Sequence, residues 1–201
     1  MSVHDGWKPY WCYTTCRHAL CTIHHLRELT FLEEQYQPPW ATELKALLRE
    51  MKAAVERART DGLRSLLPAV RQAFVTRYRA LLAAGHAANP PPARRPRPRG
   101  RGKQTPARNL LERLWLGQEE VLGIWAFLDD FTIPFANNQA ERDVRLLTVH
   151  QKVSGCFRSE WGADAFACLR GYLSTLRKQG VALLAALETV VAGQPLYPDF
   201  A

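Results

Sequence analysis

Glu141 stands in Asn138-Gln139-Ala140-Glu141, and Arg145, Thr148 and Lys152 follow it at helical spacing. On a helix these four share one face. Ala140, Val144 and Leu147 are then expected on the opposite side as a buried stripe. A carboxylate flanked by basic side chains suits a divalent cation beside a phosphate backbone. It equally suits an intrahelical ion pair. Asn138 and Glu141 also have the spacing of a capping box, with Asn in place of the usual Ser or Thr. A second carboxylate, Asp5, lies in His4-Asp5-Gly6. Asp-Gly commonly makes a turn. Set with a glutamate from a distant helix, the same aspartate would supply hard oxygen ligands for Mg²⁺ and leave room for water and substrate.

Thiols and imidazoles gather between Cys12 and His25: Cys12, Cys16, His18, Cys21, His24 and His25. Thiolate and imidazole suit zinc, but C-x3-C-x4-C-x2-H lacks the paired knuckles of common zinc modules. Buried free cysteines are an alternative. A nucleophile pair of Cys21 with His24 or His25 is another, with no recognisable orienting partner or oxyanion element.

The elements that must position these groups are mostly helical. The aromatic start, with Trp7, Tyr10, Trp11 and Tyr13, reads as buried irregular structure. Arg17 to Cys21 is either a short strand handing over to a helix capped by Thr22, or the first turn of one longer helix. After Pro38-Pro39, an apolar stripe from Leu44 to Ala58 marks a helix closed by Asp61-Gly62. Leu66 to Leu82 marks a second, ended by Gly85, and the short join predicts a helical hairpin. Thr105-Pro106 is a cap with Pro at the first helical position. It opens a long helix through Trp115 and Leu122 to about Asp129. A turn at Phe131–Phe135, a helix from Asn137 or Asn138, a break around Gly155, and helices near 161–178 and 181–192 complete the pattern.

The charge is concentrated. The 201 residues carry 27 Lys+Arg, 19 Asp+Glu and a net charge of +8. Arg94, Arg95, Arg97, Arg99, Arg101, Lys103 and Arg108 supply +7 of it, so the other residues together carry +1. Residues 87–104 read as an exposed Pro/Arg/Gly connector. Its arginines are expected to touch DNA phosphates non-specifically, to enter an A·T minor groove, or simply to keep a linker solvated. With 47% hydrophobic residues the chain can build a core. No run approaches the roughly 18 apolar residues of a membrane span. Five cysteines and no export-signal layout point to the cytoplasm.

Several blocks together resemble the insertion-sequence 66 transposases. They are His4-Asp5-Gly6-Trp7 with Tyr10, His18-Ala19-Leu20-Cys21, and His24-His25-Leu26-Arg27-Glu28-Leu29. They continue with Gly100-Arg101-Gly102-Lys103, Asn109-Leu110-Leu111, and Asn137-Asn138-Gln139-Ala140-Glu141-Arg142-Asp143-Val144-Arg145. The last are Lys152-Val153-Ser154-Gly155-Cys156-Phe157-Arg158 and Tyr172-Leu173-Ser174-Thr175. The order is kept along nearly the whole chain.

The resemblance implies a mostly α chain carrying an α/β remnant: an incomplete ribonuclease H-like core with a large helical insertion. Residues 1–32 would be the partial core, 33–130 the insertion with its basic linker, and 131–201 the glutamate helix and C-terminal helices. It implies an Asp-Asp-Glu site for two Mg²⁺ ions, with Asp5 as the second aspartate and Glu141 as the glutamate. Cys21 and His24 match the family's structural C-x2-H element. The first aspartate would lie upstream of Asp5, so the chain corresponds to the C-terminal part of such a protein, and is expected neither to nick nor to join DNA by itself. Arg142, Arg145 and Lys152 would hold DNA phosphates, joined by Arg97, Arg99, Arg101 and Lys103. Partners implied are transposon ends and target DNA, full-length transposase or a second copy, and no membrane. Two other readings remain open: an inactive DNA-binding or regulatory remnant, and a helical interaction module with a zinc clip.

Overall fold

The computed structural model describes residues 1–91, 104–116 and 123–199. Two compact units divide at 137/138. In the first, Ser2–His4 (β1) and His18–Leu20 (β2) form a two-stranded parallel sheet with Ser2 opposite His18 and His4 opposite Leu20. Between them a 3₁₀ turn covers Lys8–Cys12. The strand alternative for residues 17–21 therefore holds. Helix α1 (Thr22–Tyr36) begins at Thr22 itself, with Cys21 in the capping position and no side-chain cap. Thr22 is thus not the cap, because its backbone is already helical.

Three further long helices follow: α2 (Pro39–Thr60), α3 (Pro68–Ala88) and α4 (Pro106–Leu116). Proline opens each, where its missing N–H costs nothing. Contacts run from α1 to α2, α2 to α3, α3 to α4 and α4 back to α1, a closed ring around one core. Leu29, Leu32, Leu44, Leu48, Met51, Tyr78, Leu82, Leu111 and Leu114 are buried there. The apolar stripes of α2 and α3 are as the periodicity requires. Burial pushes the Tyr78 phenol up, and its ring meets Trp125 edge-on at 4.7 Å between centroids.

Two helix ends differ from expectation. Gly85 does not end α3; it lies buried inside it. A Cβ there would approach Leu111 to 2.6 Å and Trp40 to 3.0 Å, so the missing side chain serves close packing and not termination. The single long helix expected from Pro106 to Asp129 is not formed either. Thr105 does cap α4, accepting from the Arg108 N–H at 3.2 Å. But Gly123 takes φ +60°, where a Cβ would fall 2.1 Å from the His18 carbonyl oxygen. Only a short helix α5 (Ala126–Asp129) follows. Leu122 lies outside the described residues.

The aromatic start is also not buried: Trp7 and Tyr13 are each 64% exposed. Tyr10 and Trp11 pack on the His4 imidazole of β1, and Trp7 meets Tyr10 edge-on.

The second unit contains α6 (Asn138–Ser154), α7 (Glu160–Lys178) and α8 (Leu183–Val191), close to the expected ranges. The predicted buried stripe of α6 is absent: Val144 is 59% exposed, Ala140 is exposed, and α6 buries no residue. Its half-covered positions are Asp143, Leu147 and His150, a stripe rotated from the expected one. Polar and aromatic contacts occupy that stripe. Asp143 accepts from the Ser174 hydroxyl at 2.7 Å and pairs with Lys178. His150 stacks on Phe157, with Phe166 beside both. Among the described residues no helix is long and apolar enough to cross a membrane.

Candidate active site

Asp5 follows the last residue of β1, and Cys21 follows the last residue of β2. Because the strands are parallel, both leave at the same, carboxyl end, and the Cys21 N–H donates to the His4 carbonyl at 2.8 Å. That end of a parallel sheet is where α/β folds place ligand-binding groups. Asp5 is exposed, and its Oδ1 accepts from the Trp7 N–H at 2.9 Å. This turn, with Gly6 at φ +86°, holds the carboxylate outside the strand pair.

Cys21 is fully buried. Its Sγ and a ring nitrogen of His24 lie within 4.8 Å of each other, so the C-x2-H element is drawn together at the start of α1. The Asn137 N–H donates to the Cys21 Sγ at 3.2 Å, and the Thr22 N–H donates to the Phe135 carbonyl at 3.1 Å. The segment that leads into α6 is thereby fastened to the β2–α1 junction.

His25, one residue on, is buried. Burial first, then Arg113 and His24, push its pKa down to about 4, so the ring is neutral at physiological pH. Cys12 is exposed, and Cys16 donates to the Tyr13 carbonyl at 3.4 Å. Neither belongs to a group of three or more metal-capable side chains among the described residues. Among the described residues Cys12 and Cys16 are not drawn into one group with Cys21 and His24, and of the three cysteines only Cys21 is buried.

Glu141 lies in the first turn of α6. Glu141, Arg142, Arg145, Thr148 and Lys152 are all exposed, so the predicted charged face is on the surface. The helix starts at Asn138, which puts the capping position at Asn137 and not at Asn138. Arg97, Arg99, Arg101 and Lys103 lie outside the described residues.

Two residues with structural work at these places were not singled out from sequence. His4 is 2% exposed, and its Nε2 sits 3.0 Å from the His18 Nδ1. Its place before the aspartate, in strand alternation with Ser2, was the available signal. Asp143 carries the α6–α7 contact. Lys178, then Ser174, hold its carboxyl below the usual range. Its i, i+4, i+7 spacing with Leu147 and His150 could have marked it.

The family model described as "Transposase IS66 family" matches residues 1–165. The chain belongs to the IS66 transposase family. Among curated proteins and among solved structures, nothing matches it. Family membership makes this a transposition protein by descent. The matched stretch covers the strand pair with Asp5 and the whole of α6 with Glu141.

Proposed function

We propose that this chain is the part of an Asp-Asp-Glu transposase that carries the second aspartate and the glutamate of the site, working in Mg²⁺-dependent cleavage and transfer of DNA strands. The observation that carries the reading is Asp5 at the carboxyl end of a parallel strand pair, inside the stretch that matches the transposase family. Residues 1–32 serve as part of a ribonuclease H-like core, 33–130 as its helical insertion, and 131–201 as the glutamate helix and the C-terminal helices.

The donor set fits the cation. Exposed carboxylates offer the hard oxygens Mg²⁺ prefers, whereas the buried Cys21 is a soft ligand unsuited to it. Asp5 and Glu141 would hold the metal, with Cys21 and His24 shaping the turn beside Asp5. Divalent cations at such a site lower the pKa of the attacking hydroxyl or water and stabilise the leaving oxygen. Arg142, Arg145 and Lys152 bind phosphates and set the register of the duplex without reading bases. Arg97, Arg99, Arg101 and Lys103 add sequence-tolerant affinity. The partners are transposon ends, target DNA and a further transposase chain.

Duplex binding measured across salt concentrations tests the DNA-binding half. Arg145→Ala and Lys152→Ala should each reduce the salt slope by about 1. Slopes equal to that of the unaltered chain would remove α6 from the DNA interface.

A further inference from the structure

We propose that His4 and His18 are positioning residues, whose rings form a one-directional hydrogen-bond chain that sets the Asp5–Gly6 turn and so the place of the Asp5 carboxylate. The inference rests on the reading of Asp5 as a cation ligand.

The chain admits one proton assignment. The Gly6 N–H can only donate, so His4 Nδ1, 3.0 Å away, is an unprotonated acceptor. A neutral imidazole with bare Nδ1 carries its proton on Nε2. That nitrogen lies 3.0 Å from His18 Nδ1, which must therefore accept. His18 in turn carries its proton on Nε2, 3.0 Å from the Tyr13 carbonyl oxygen, a group that only accepts. Each link forces the next. Reversing either tautomer would set two donors or two lone pairs against each other.

The geometry explains why the chain exists. In the parallel register Ser2 faces His18 and His4 faces Leu20, so His4 and His18 are diagonal neighbours on one face of the strand pair. Their ring centroids are 5.2 Å apart at 81°. Tyr10 stacks on His4 at 4.7 Å, and Trp11 lies 4.8 Å from each imidazole. These rings shut His4 from water. The hydrogen-bond chain ties the end of β1, the Gly6 turn, the start of β2 and the Tyr13 loop into one unit. Asp5 is the exposed residue enclosed by that unit, between His4 and Gly6. Groups behind a metal ligand orient it in this way in other sites.

Two readouts on the full chain test it. Long-range ¹H–¹⁵N spectra of the unaltered protein should show both rings with Nδ1 bare and Nε2 protonated. A His4 ring protonated on Nδ1 overturns the inference without any variant. Mn²⁺ binding followed by electron paramagnetic resonance is the second readout. His4→Phe keeps a stacking ring but removes both nitrogens, and should weaken Mn²⁺ binding by about tenfold or more. His18→Asn, whose carbonyl replaces the Nδ1 acceptor, should recover most of the affinity lost in His18→Phe. Loss of Mn²⁺ in Asp5→Asn together with unchanged binding in His4→Phe sinks the positioning role and leaves Asp5 as a ligand. Unchanged binding in Asp5→Asn sinks the ligand assignment and this inference with it.

Discussion

Residues 1–137 and residues 138–201 are both helical, yet they hold themselves together differently. In the first, four helices close a ring, and whole leucines disappear into it: Leu44, Leu82, Leu111 and Leu114 are fully buried. In the second, α7 buries only Leu176 and α8 only Ala186, while Val153, Trp161 and Val191 stand at 80% exposure or more. Local signals are good in both: Ser159 caps α7 by accepting from the Gly162 N–H, and Gly180 follows its end. The difference shows that caps and helix formers define where helices lie, while burial decides how firmly they are held. It also separates the two proposed cation ligands. Asp5 sits on a turn braced by strand pairing and a shut ring cluster. Glu141 rides on a helix secured by the Asp143–Lys178 salt bridge and a cluster of three rings, His150, Phe157 and Phe166.

The contrast between the two units is sharpest in their apolar contacts. Leu48→Ala in α2 should cost about 2–5 kcal/mol, whereas Val153→Ala in α6 should stay within about 0.5 kcal/mol. Urea unfolding of the full chain, followed by helical circular dichroism, measures both. Similar losses for the two substitutions would mean that the second unit has a core of its own.

Acid should act on the first unit next. His25 has a folded pKa of about 4, below its ordinary 6.5. The unfolded chain therefore binds the extra proton between those values. The stability from keeping the ring neutral is complete above about pH 6.5 and is lost as pH falls toward about 4, a change on the order of 3 kcal/mol. His25→Leu should flatten that slope in melts at several pH values. An unaltered slope would assign the acid sensitivity elsewhere.

A modest electrostatic effect is expected in the second unit. Asp143→Asn removes the charge that Lys178 and Ser174 hold, and should cost about 1 kcal/mol or less because the pair is partly solvated. Added salt should shrink the difference further. A loss as large as that of Leu48→Ala would show that this ion pair carries the unit's stability.

Much of the fold was legible in the sequence, and the failures have physical causes. The stripes of α2 and α3 follow from helical periodicity, and the Thr105 cap from its position before Pro106. Residues 17–21 stayed ambiguous because a short apolar run fits strand and helix alike; the pairing with Ser2–His4 decides it. Gly85 looked like a stop signal because sequence does not show that Trp40 and Leu111 press against it. The α6 stripe was misplaced because an aspartate, not a valine, faces the neighbouring helix. Asp5 and Glu141, the proposed cation ligands, stood out by their motifs and were given their roles by resemblance. The His4–His18 chain needed coordinates, because its proton directions exist only once both strands are paired.

The most direct measurement is the number of Mn²⁺ ions bound by the full chain, with Asp5→Asn and Glu141→Gln beside it, each checked by circular dichroism for retained helix. Each substitution is expected to remove the same bound ion while the fold persists. Mn²⁺ binding unchanged by both would contradict the assignment of these carboxylates as the cation site.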